Sequence, residues 1–230
     1  MHPRQSSPII PASLLLHAYR AGVFPMADGR EDPDVFWVEP RERAIFPLET
    51  FRPSRSLAKT VRQDSFAVSW DRDFSDIIAA CAEPRAGGGG SWISHRIEAS
   101  YVALRSAGHA HSIEVRDGEG MLVGGLYGVA FDSVFCGESM FSRATDASKV
   151  ALVWLVAGLK AAGFRLLDCQ FMTPHLASMG AVAMPQEEYR RRLEAARGET
   201  AQSLPDALAQ LSQASVSPGK SIAQSFTKTS

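Results

Sequence analysis

Apolar residues at helical spacing predict a first helix over residues 12–22, which Gly22 ends. Its apolar positions are Leu14, Leu15, Ala18 and Tyr19. Two β-rich runs follow at 36–38 and 44–46, and they predict short strands around a turn. Ser54 is well placed to cap the next helix.

Alternating apolar and polar residues predict strands over much of the second half, at 111–115, 121–129 and 133–136. The strongest helix pattern, over residues 147–162, carries an apolar stripe along one side and stops before a glycine. A buried strand is predicted at 164–171. This order predicts an α+β (mixed α/β) fold, in which the helix crosses between parallel strands and packs on the sheet.

Two segments carry turn-forming and polar residues. The glycine run at 86–90 predicts a surface loop, because it lacks the lysine and the strand–loop–helix order of a phosphate loop. Residues 198–230 are rich in Ser, Gln, Thr and Lys with few large apolar residues, which predicts a disordered tail.

The composition limits the size and the class of protein that the chain can form. The chain has 230 residues, 45% of them hydrophobic, enough for one large domain or a medium domain with a small appendage. No apolar run is long enough to span a membrane, and the first residues lack the profile of a secretory signal. Three widely spaced cysteines argue against a disulfide framework and predict a cytoplasmic location. No oligomerisation signal is visible, so a monomer is expected.

A net charge of −1 means that any nucleic-acid binding must rest on a local basic patch. Arg55, Lys59 and Arg62 recur at i, i+4 and i+7 and would share one face of a helix. Such a face is either a solvated surface or a phosphate-binding patch.

Candidate chemistry gathers around the long helix. Within a strand, Asp168 and Gln170 would share a face about 7 Å apart, and each would need a hydrogen-bond partner or solvent. They are either a hydrogen-bonded strand end or part of a site. Glu138, near the start of the helix, is either a partner for the helix dipole or a site carboxylate. No serine-nucleophile elbow is present, and no histidine, cysteine or acidic spacing indicates a metal site.

Eight short stretches, taken in order, resemble the leucyl/phenylalanyl-tRNA–protein transferase family. Any one of them is weak evidence, but eight in register between residues 12 and 196 are specific. They are Tyr19-Arg20-Ala21-Gly22-Val23-Phe24-Pro25, Ser54-Arg55-Ser56-Leu57, Trp92-Ile93, residues 108–114, Gly124-Gly125-Leu126-Tyr127-Gly128, residues 137–142, Ala147-Ser148-Lys149 and Asp168-Cys169-Gln170.

The resemblance implies an enzyme that transfers Leu or Phe, with Met as a further candidate, from aminoacyl-tRNA to the N-terminal Arg or Lys of a protein. The product is an N-degron, and the implied partners are Leu-tRNA, Phe-tRNA and proteins with these N-termini. No cofactor or metal is needed, because the ester supplies the energy. The implied architecture is a small N-terminal domain (1–45) and a GNAT-like acyltransferase domain (46–197) with a central mixed sheet flanked by helices.

By the same resemblance, Gln170 matches a residue that helps to deprotonate the attacking amine, and Asp168 polarises it. We expect Glu138 to face the acceptor charge or the aminoacyl amine. A carboxamide is a very weak base, so an alternative is that Gln170 orients the amine and stabilises the oxyanion. In that alternative, Asp168 fixes Gln170 and helps to hold the cationic acceptor.

The resemblance also assigns an aminoacyl pocket and a tRNA-binding surface. Trp92 matches the aromatic residue that stacks on the terminal adenine, Met26 stands where relatives carry a second tryptophan, and the Arg55, Lys59 and Arg62 face becomes a patch for the acceptor stem. The pocket positions are Leu126, Phe135, Met140, Leu152, Leu155 and Leu167, with Leu159 better explained as core.

Two alternatives remain open. A GNAT acetyltransferase would need a glycine-rich pyrophosphate turn before the long helix, and residues 142–146 have no glycine. A non-catalytic tRNA-binding module would have no use for Asp168 and Gln170 facing a pocket.

Overall fold

The computed structural model describes residues 8–84 and 90–227. The predicted glycine loop therefore lies, apart from Gly90, outside the described residues. Within the described part, no helix is both long enough and apolar enough to cross a membrane.

A seven-stranded mixed sheet organises the chain, in the order β4-β5-β6-β7-β8-β3-β9. Neighbouring strands are antiparallel except β7 and β8, which run parallel. The predicted mixed α/β class, with helices flanking a central mixed sheet, is confirmed. The strands are β3 Glu42–Phe46, β4 Ala67–Trp70, β5 Ala110–Arg116, β6 Leu122–Phe131, β7 Val134–Ser142, β8 Leu166–Asp168 and β9 Val182–Pro185.

Two further strands form a separate ribbon near the N-terminus. Strand β1 (Phe24–Met26) pairs antiparallel with β2 (Phe36–Val38). The predicted strands at 36–38 and 44–46 both exist, but they belong to different sheets, because β3 joins β8 and β9. A domain boundary after residue 45 would cut β3, which spans Glu42–Phe46. The division into two domains stays a prediction.

Helices cover both faces of the sheet and enclose two apolar cores. Helices α2, α5, α8 and α9 bury one core, which includes Phe135 and Trp154, and α1, α3, α4 and α7 bury the other, which includes Tyr101 and Tyr127. The helices are α1 Ala12–Arg20, α2 Arg55–Arg62, α3 Phe74–Cys81, α4 His95–Ser106, α5 Ala147–Ala162, α6 Pro174–Ser178, α7 Gln186–Ala195, α8 Leu204–Gln213 and α9 Pro218–Gln224.

Helix α5 is the predicted crossover between the parallel strands β7 and β8. It is buried on nearly all sides rather than along one stripe, because helices pack on it from outside while the sheet lies beneath. Gly158 permits the closest of these contacts, since a Cβ there would lie 2.8 Å from side-chain atoms of Leu204 and Leu208.

The predicted disordered tail is wrong for most of its length. Helices α8 and α9 are ordered because their few apolar residues fall on one side of each helix: Leu204 and Leu208 pack against α5, and Ile222 and Phe226 are buried in the same core. Asp64, at the end of α2, accepts hydrogen bonds from the Ser217 hydroxyl and from the backbone N–H of Gly219.

Candidate active site

A cavity of about 980 Å³ opens where the two parallel strands separate. Strands β7 and β8 pair over three residues only, ending at Cys136 and Asp168. Strand β7 then continues along β6, while β8 stops. The space between them is large enough for a drug-sized ligand and is walled mostly by apolar side chains.

The apolar wall is the part of the cavity that the sequence predicted best. Five of the six predicted pocket positions line it, and they come from β6, β7, α5 and β8: Leu126, Met140, Leu152, Leu155 and Leu167. Phe135 does not line the cavity; it is fully buried and packs edge-on against Phe164, with ring centroids 6.4 Å apart. Leu159 is also core.

Glu138 reaches the cavity through an irregularity in the sheet. Tyr127 pairs with Ser139 and Gly128 pairs with Gly137, so Glu138 has no partner residue across the strand. Such a β-bulge redirects a side chain and is common beside active sites. Gly128 makes the close approach possible, because a Cβ there would meet the carbonyl oxygen of Cys136 at 2.3 Å.

The Glu138 carboxyl group is buried and receives neutral donors only. The Tyr101 hydroxyl donates to its Oε2 at 3.2 Å, and the Gln170 amide donates to its Oε1 at 3.1 Å. The Tyr101 hydroxyl also shares a hydrogen bond with the Tyr19 hydroxyl. Burial raises the pKa of Glu138 to about 8, helped by the charge of Asp168, while hydrogen bonding from Tyr19 and Tyr101 works against the rise.

Asp168 lies beneath the cavity and is held by a buried arginine. The Arg43 guanidinium donates to both of its carboxylate oxygens, and the Tyr189 hydroxyl donates to Oδ2 at 3.0 Å. Arg43 and Asp168 are 1% and 0% exposed, so the acceptor substrate has no access to this ion pair. The prediction that Asp168 helps to hold the cationic acceptor is therefore wrong for this conformation.

Gln170 connects the two carboxylates. Its backbone N–H donates to Asp168 Oδ1 at 2.9 Å, while its side chain donates to Glu138. Strand β8 ends at Asp168, and Gln170 has a left-handed backbone with φ of 57°. The predicted strand over 164–171 is therefore too long, and the shared location of Asp168 and Gln170 comes from a turn rather than from strand alternation.

Aromatic and sulfur-containing side chains line another part of the cavity wall. Met26 and Trp92 both contribute to it, together with Phe24 and Phe171, whose rings meet edge-on at 5.6 Å. The Ala27 N–H donates to the Trp92 carbonyl at 3.2 Å, which ties the two segments together. The two residues predicted to contact the tRNA end are thus neighbours in the fold.

The basic residues of α2 lie elsewhere. Arg55, Lys59 and Arg62 are exposed, are absent from the cavity wall, and form no ion pair with any residue in the described ranges. Ser54 caps their helix as predicted, accepting a hydrogen bond from the Leu57 N–H at 3.2 Å. Among the residues that the structure covers, no group of three or more His, Cys, Asp or Glu side chains is arranged to hold a metal ion.

Four functional neighbours escaped the sequence reasoning: Tyr19, Arg43, Tyr101 and Tyr189. Each contacts the site from an element far away in the chain; Arg43, for example, is 125 residues from Asp168. One signal was available, since Arg43 is a charged residue directly before the predicted apolar strand at 44–46. The sequence gives no such signal for the tyrosines, because aromatic residues are common in any hydrophobic core.

Comparison with known proteins gives a consistent result. The sequence profile described as leucyl/phenylalanyl-tRNA protein transferase matches residues 45–194, and the profile of its N-terminal domain matches residues 10–41. The chain is 62% identical over 188 residues to the leucyl/phenylalanyl-tRNA–protein transferase of Novosphingobium aromaticivorans, covering 82% of this chain and 71% of the relative. With that of Rhizorhabdus wittichii it shares 56% over 192 residues, covering 84% and 77%.

Similarity to solved structures is much weaker. The structure of L-PGS from Bacillus licheniformis matches with a TM-score of 0.39 and 14% identity, covering 71% of this chain and 54% of that one. A likeness of this size carries no argument about the fold or the reaction.

Proposed function

Because the chain belongs to the leucyl/phenylalanyl-tRNA–protein transferase family, we propose that it transfers Leu or Phe from aminoacyl-tRNA to the N-terminal Arg or Lys of acceptor proteins. Family membership makes it an aminoacyltransferase with tRNA and protein substrates. The choice of acceptor, the use of Met as a further donor and the creation of an N-degron in the cytoplasm belong to the proposal.

The observation that carries the proposal is one cavity that joins an apolar wall to a polar end. The wall formed by Leu126, Leu152 and Leu155 suits the side chain of Leu or Phe, and Met140 can adapt to either shape. One methylene in such a pocket is worth about 1–3 kcal/mol. We therefore expect modest rather than absolute rejection of Ile and Val.

The tRNA is proposed to bind across two surfaces. Its terminal adenine stacks on Trp92, a contact worth about 1–3 kcal/mol that tolerates any base. Met26, beside Trp92 in the cavity wall, supplies a second contact through a flexible thioether instead of an aromatic ring. The exposed face of α2 with Arg55, Lys59 and Arg62 then contacts the phosphates of the acceptor stem, as expected for cations that carry no sequence information.

The reaction is aminolysis of an activated ester, which requires positioning more than covalent help. Well-oriented reactants gain about 7–11 kcal/mol in the best cases. Gln170 lines the cavity and is proposed to orient the amine, with its remaining amide hydrogen available to the developing oxyanion. Asp168 acts through Gln170 and is a positioning residue, because its oxygens are occupied by donors beneath the cavity.

The test is a transfer assay with labelled Leu-tRNA and a short peptide that begins with Arg. We expect label on the peptide with Leu-tRNA and Phe-tRNA, weaker transfer with Ile-tRNA, and transfer to a peptide that begins with Lys. The matched control is the same peptide with N-terminal Asp, which should stay unlabelled. Equal labelling of both peptides would contradict the proposed acceptor, and acetylation of the Arg peptide from acetyl-CoA would support the acetyltransferase alternative.

A further inference from the structure

The proposed transfer leaves one proton in the cavity. A peptide α-amine has a pKa near 8, so at neutral pH most of it arrives as an ammonium ion. One N–H bond must break before the nitrogen lone pair attacks the ester carbonyl carbon. A second proton leaves the nitrogen as the amide forms, and it passes to the ribose oxygen when the C–O bond to that oxygen breaks. The first proton needs a different acceptor.

Most polar groups near Gln170 are unable to take this proton. Asp168 is fully buried and already accepts four hydrogen bonds. The Gln170 amide is too weakly basic. Burial raises the pKa values of Tyr19 and Tyr101 well above their ordinary range, so both hydroxyls stay protonated donors near neutral pH.

We infer that Glu138 accepts the proton from the acceptor amine and that Gln170 holds the Glu138 carboxylate in place for this step. The inference rests on the proposed aminoacyl transfer. Three features of the geometry carry it: the β-bulge that turns Glu138 into the cavity wall, the neutral donors on both of its oxygens, and the absence of a direct ion pair to it among the described residues. After the amide forms, Glu138 returns the proton to solvent.

The environment of Glu138 matches its proton affinity to that of the amine. With a pKa of about 8, the proton is shared almost evenly between a bound α-amine and the carboxylate. A carboxyl group with the ordinary pKa of 4.5 would hold the proton in only about one pair in 3000. The burial that makes ionised Glu138 costly is therefore what makes it a useful acceptor.

The pKa of Glu138 depends on burial and on four neighbouring groups. The charge of Asp168 raises the value, while Arg43 and the hydrogen bonds from Tyr19 and Tyr101 lower it. Among the described residues, the titratable or charged groups that face Glu138 are Tyr19 of α1, Arg43 of β3, Tyr101 of α4, Tyr127 of β6, Cys136 of β7, Asp168 of β8 and Cys169 beyond its end. Other ionisable groups in the cavity wall are Arg143, Asp146, Lys149 and His175.

The decisive experiment is a pH profile of kcat/KM for the Arg peptide between pH 6 and 9.5, with saturating Leu-tRNA. In the wild type the reacting pair holds one proton, with Glu138 ionised and the amine protonated, so the log–log slope should approach one at low pH and the rate should fall again above the pKa of the amine. In Glu138→Gln only the unprotonated amine can react, so the fall at high pH should disappear, and the rate at pH 8 should drop about 100-fold. Unchanged affinity for Leu-tRNA would show that the variant is folded.

Two tyrosine variants supply a matched pair. Tyr101→Phe removes a hydrogen-bond donor to ionised Glu138, so the pKa of Glu138 should rise. The low-pH limb of the kcat/KM profile should then move roughly half a pH unit or more to higher pH. Tyr127→Phe removes a buried hydroxyl that has no hydrogen-bond partner among the described residues, and the limb should stay in place.

Each outcome bears on one claim. A fall at high pH and a near-normal rate in Glu138→Gln would overturn the inference, as would the loss of that fall in His175→Ala instead. If Glu138→Gln fails to fold, an unmoved limb in Tyr101→Phe overturns it. A wild type that labels no peptide at any pH would contradict the proposed function itself, which is a separate result from either of these.

Discussion

Two buried carboxyl groups meet Gln170 from opposite sides, and the protein holds them in opposite ways. Asp168 accepts hydrogen bonds from Arg43, Tyr189 and the Gln170 backbone, and it is fully buried. Among the described residues, Glu138 accepts hydrogen bonds only from neutral groups, which are tyrosine hydroxyls and an amide, and it forms part of the cavity wall. One carboxylate is an ion pair beneath the site, and the other is a carboxyl group with neutral neighbours inside it.

The difference shows that the partners of a buried carboxyl group determine whether it can exchange protons near neutral pH. A buried carboxylate with a cationic partner stays ionised and serves as a fixed point for neighbouring groups. A buried carboxyl group without a direct cation resists ionisation, and its pKa rises toward the range where it can exchange protons at neutral pH. The two parallel strands thus provide the proposed proton acceptor, from β7, and a positioning residue, from β8.

Removing the cation should produce the largest effect. Arg43→Met leaves Asp168 buried without its partner, and we expect a loss of about 3–5 kcal/mol in the free energy of unfolding, measured by urea denaturation. The control is Arg190→Met, which removes an exposed arginine paired with Glu39 and should cost less than about 1 kcal/mol. Equal losses in the two variants would mean that Asp168 does not depend on Arg43.

Glu138→Gln should change the pH dependence of stability, and the sign follows from the raised pKa. Between pH 4.5 and about 8 the unfolded chain ionises Glu138 while the folded chain keeps it protonated. The wild type therefore loses stability as pH rises through this window, and above it the loss is complete. The variant lacks this loss.

From pH 5 to pH 7 the stability of Glu138→Gln should therefore improve by about 2–3 kcal/mol relative to the wild type, read from urea midpoints at each pH. Glu187→Gln, at an exposed position on α7, is the control and should follow the wild-type curve. Parallel curves for Glu138→Gln and the wild type would contradict the raised pKa.

The smallest effect separates two buried tyrosines. Tyr189→Phe removes a donor to Asp168 and should cost about 1–2 kcal/mol. Tyr127→Phe removes a hydroxyl without a hydrogen-bond partner in the described part of the chain, and we expect a change close to zero or a slight gain. Thermal unfolding of both variants would show the contrast, and a reversed order would assign Tyr127 a partner.

The apolar half of the site could be predicted from the sequence, and the polar half could be predicted only in part. Leu152 and Leu155 lie on a helix whose period is plain, and the predicted crossover brings that helix against the sheet. Glu138 and Gln170 could be nominated, but the hydrogen bond between them depends on a bulge and on a left-handed residue. Neither irregularity has a local pattern in the residues concerned.

The errors have related causes. The tail was predicted to be disordered because composition alone does not reveal that Leu204 and Leu208 meet Gly158 on another helix. Phe135 was assigned to the pocket by the family resemblance, whereas only the packing of the whole sheet determines where the cavity ends. In each case the missing information is a contact between residues far apart in the chain.

The sequence by itself determined the mixed α/β class, the crossover helix, the apolar wall and the family, because these depend on periodicity and on short stretches in register. The surroundings of the two acids depend on the tertiary structure. Asp168 and Glu138 look alike in the sequence, and what separates them is Arg43 arriving from β3 and Tyr101 arriving from α4. The proton affinity of a buried carboxyl group is set by such neighbours and by its loss of solvent, and neither is a property of the local chain.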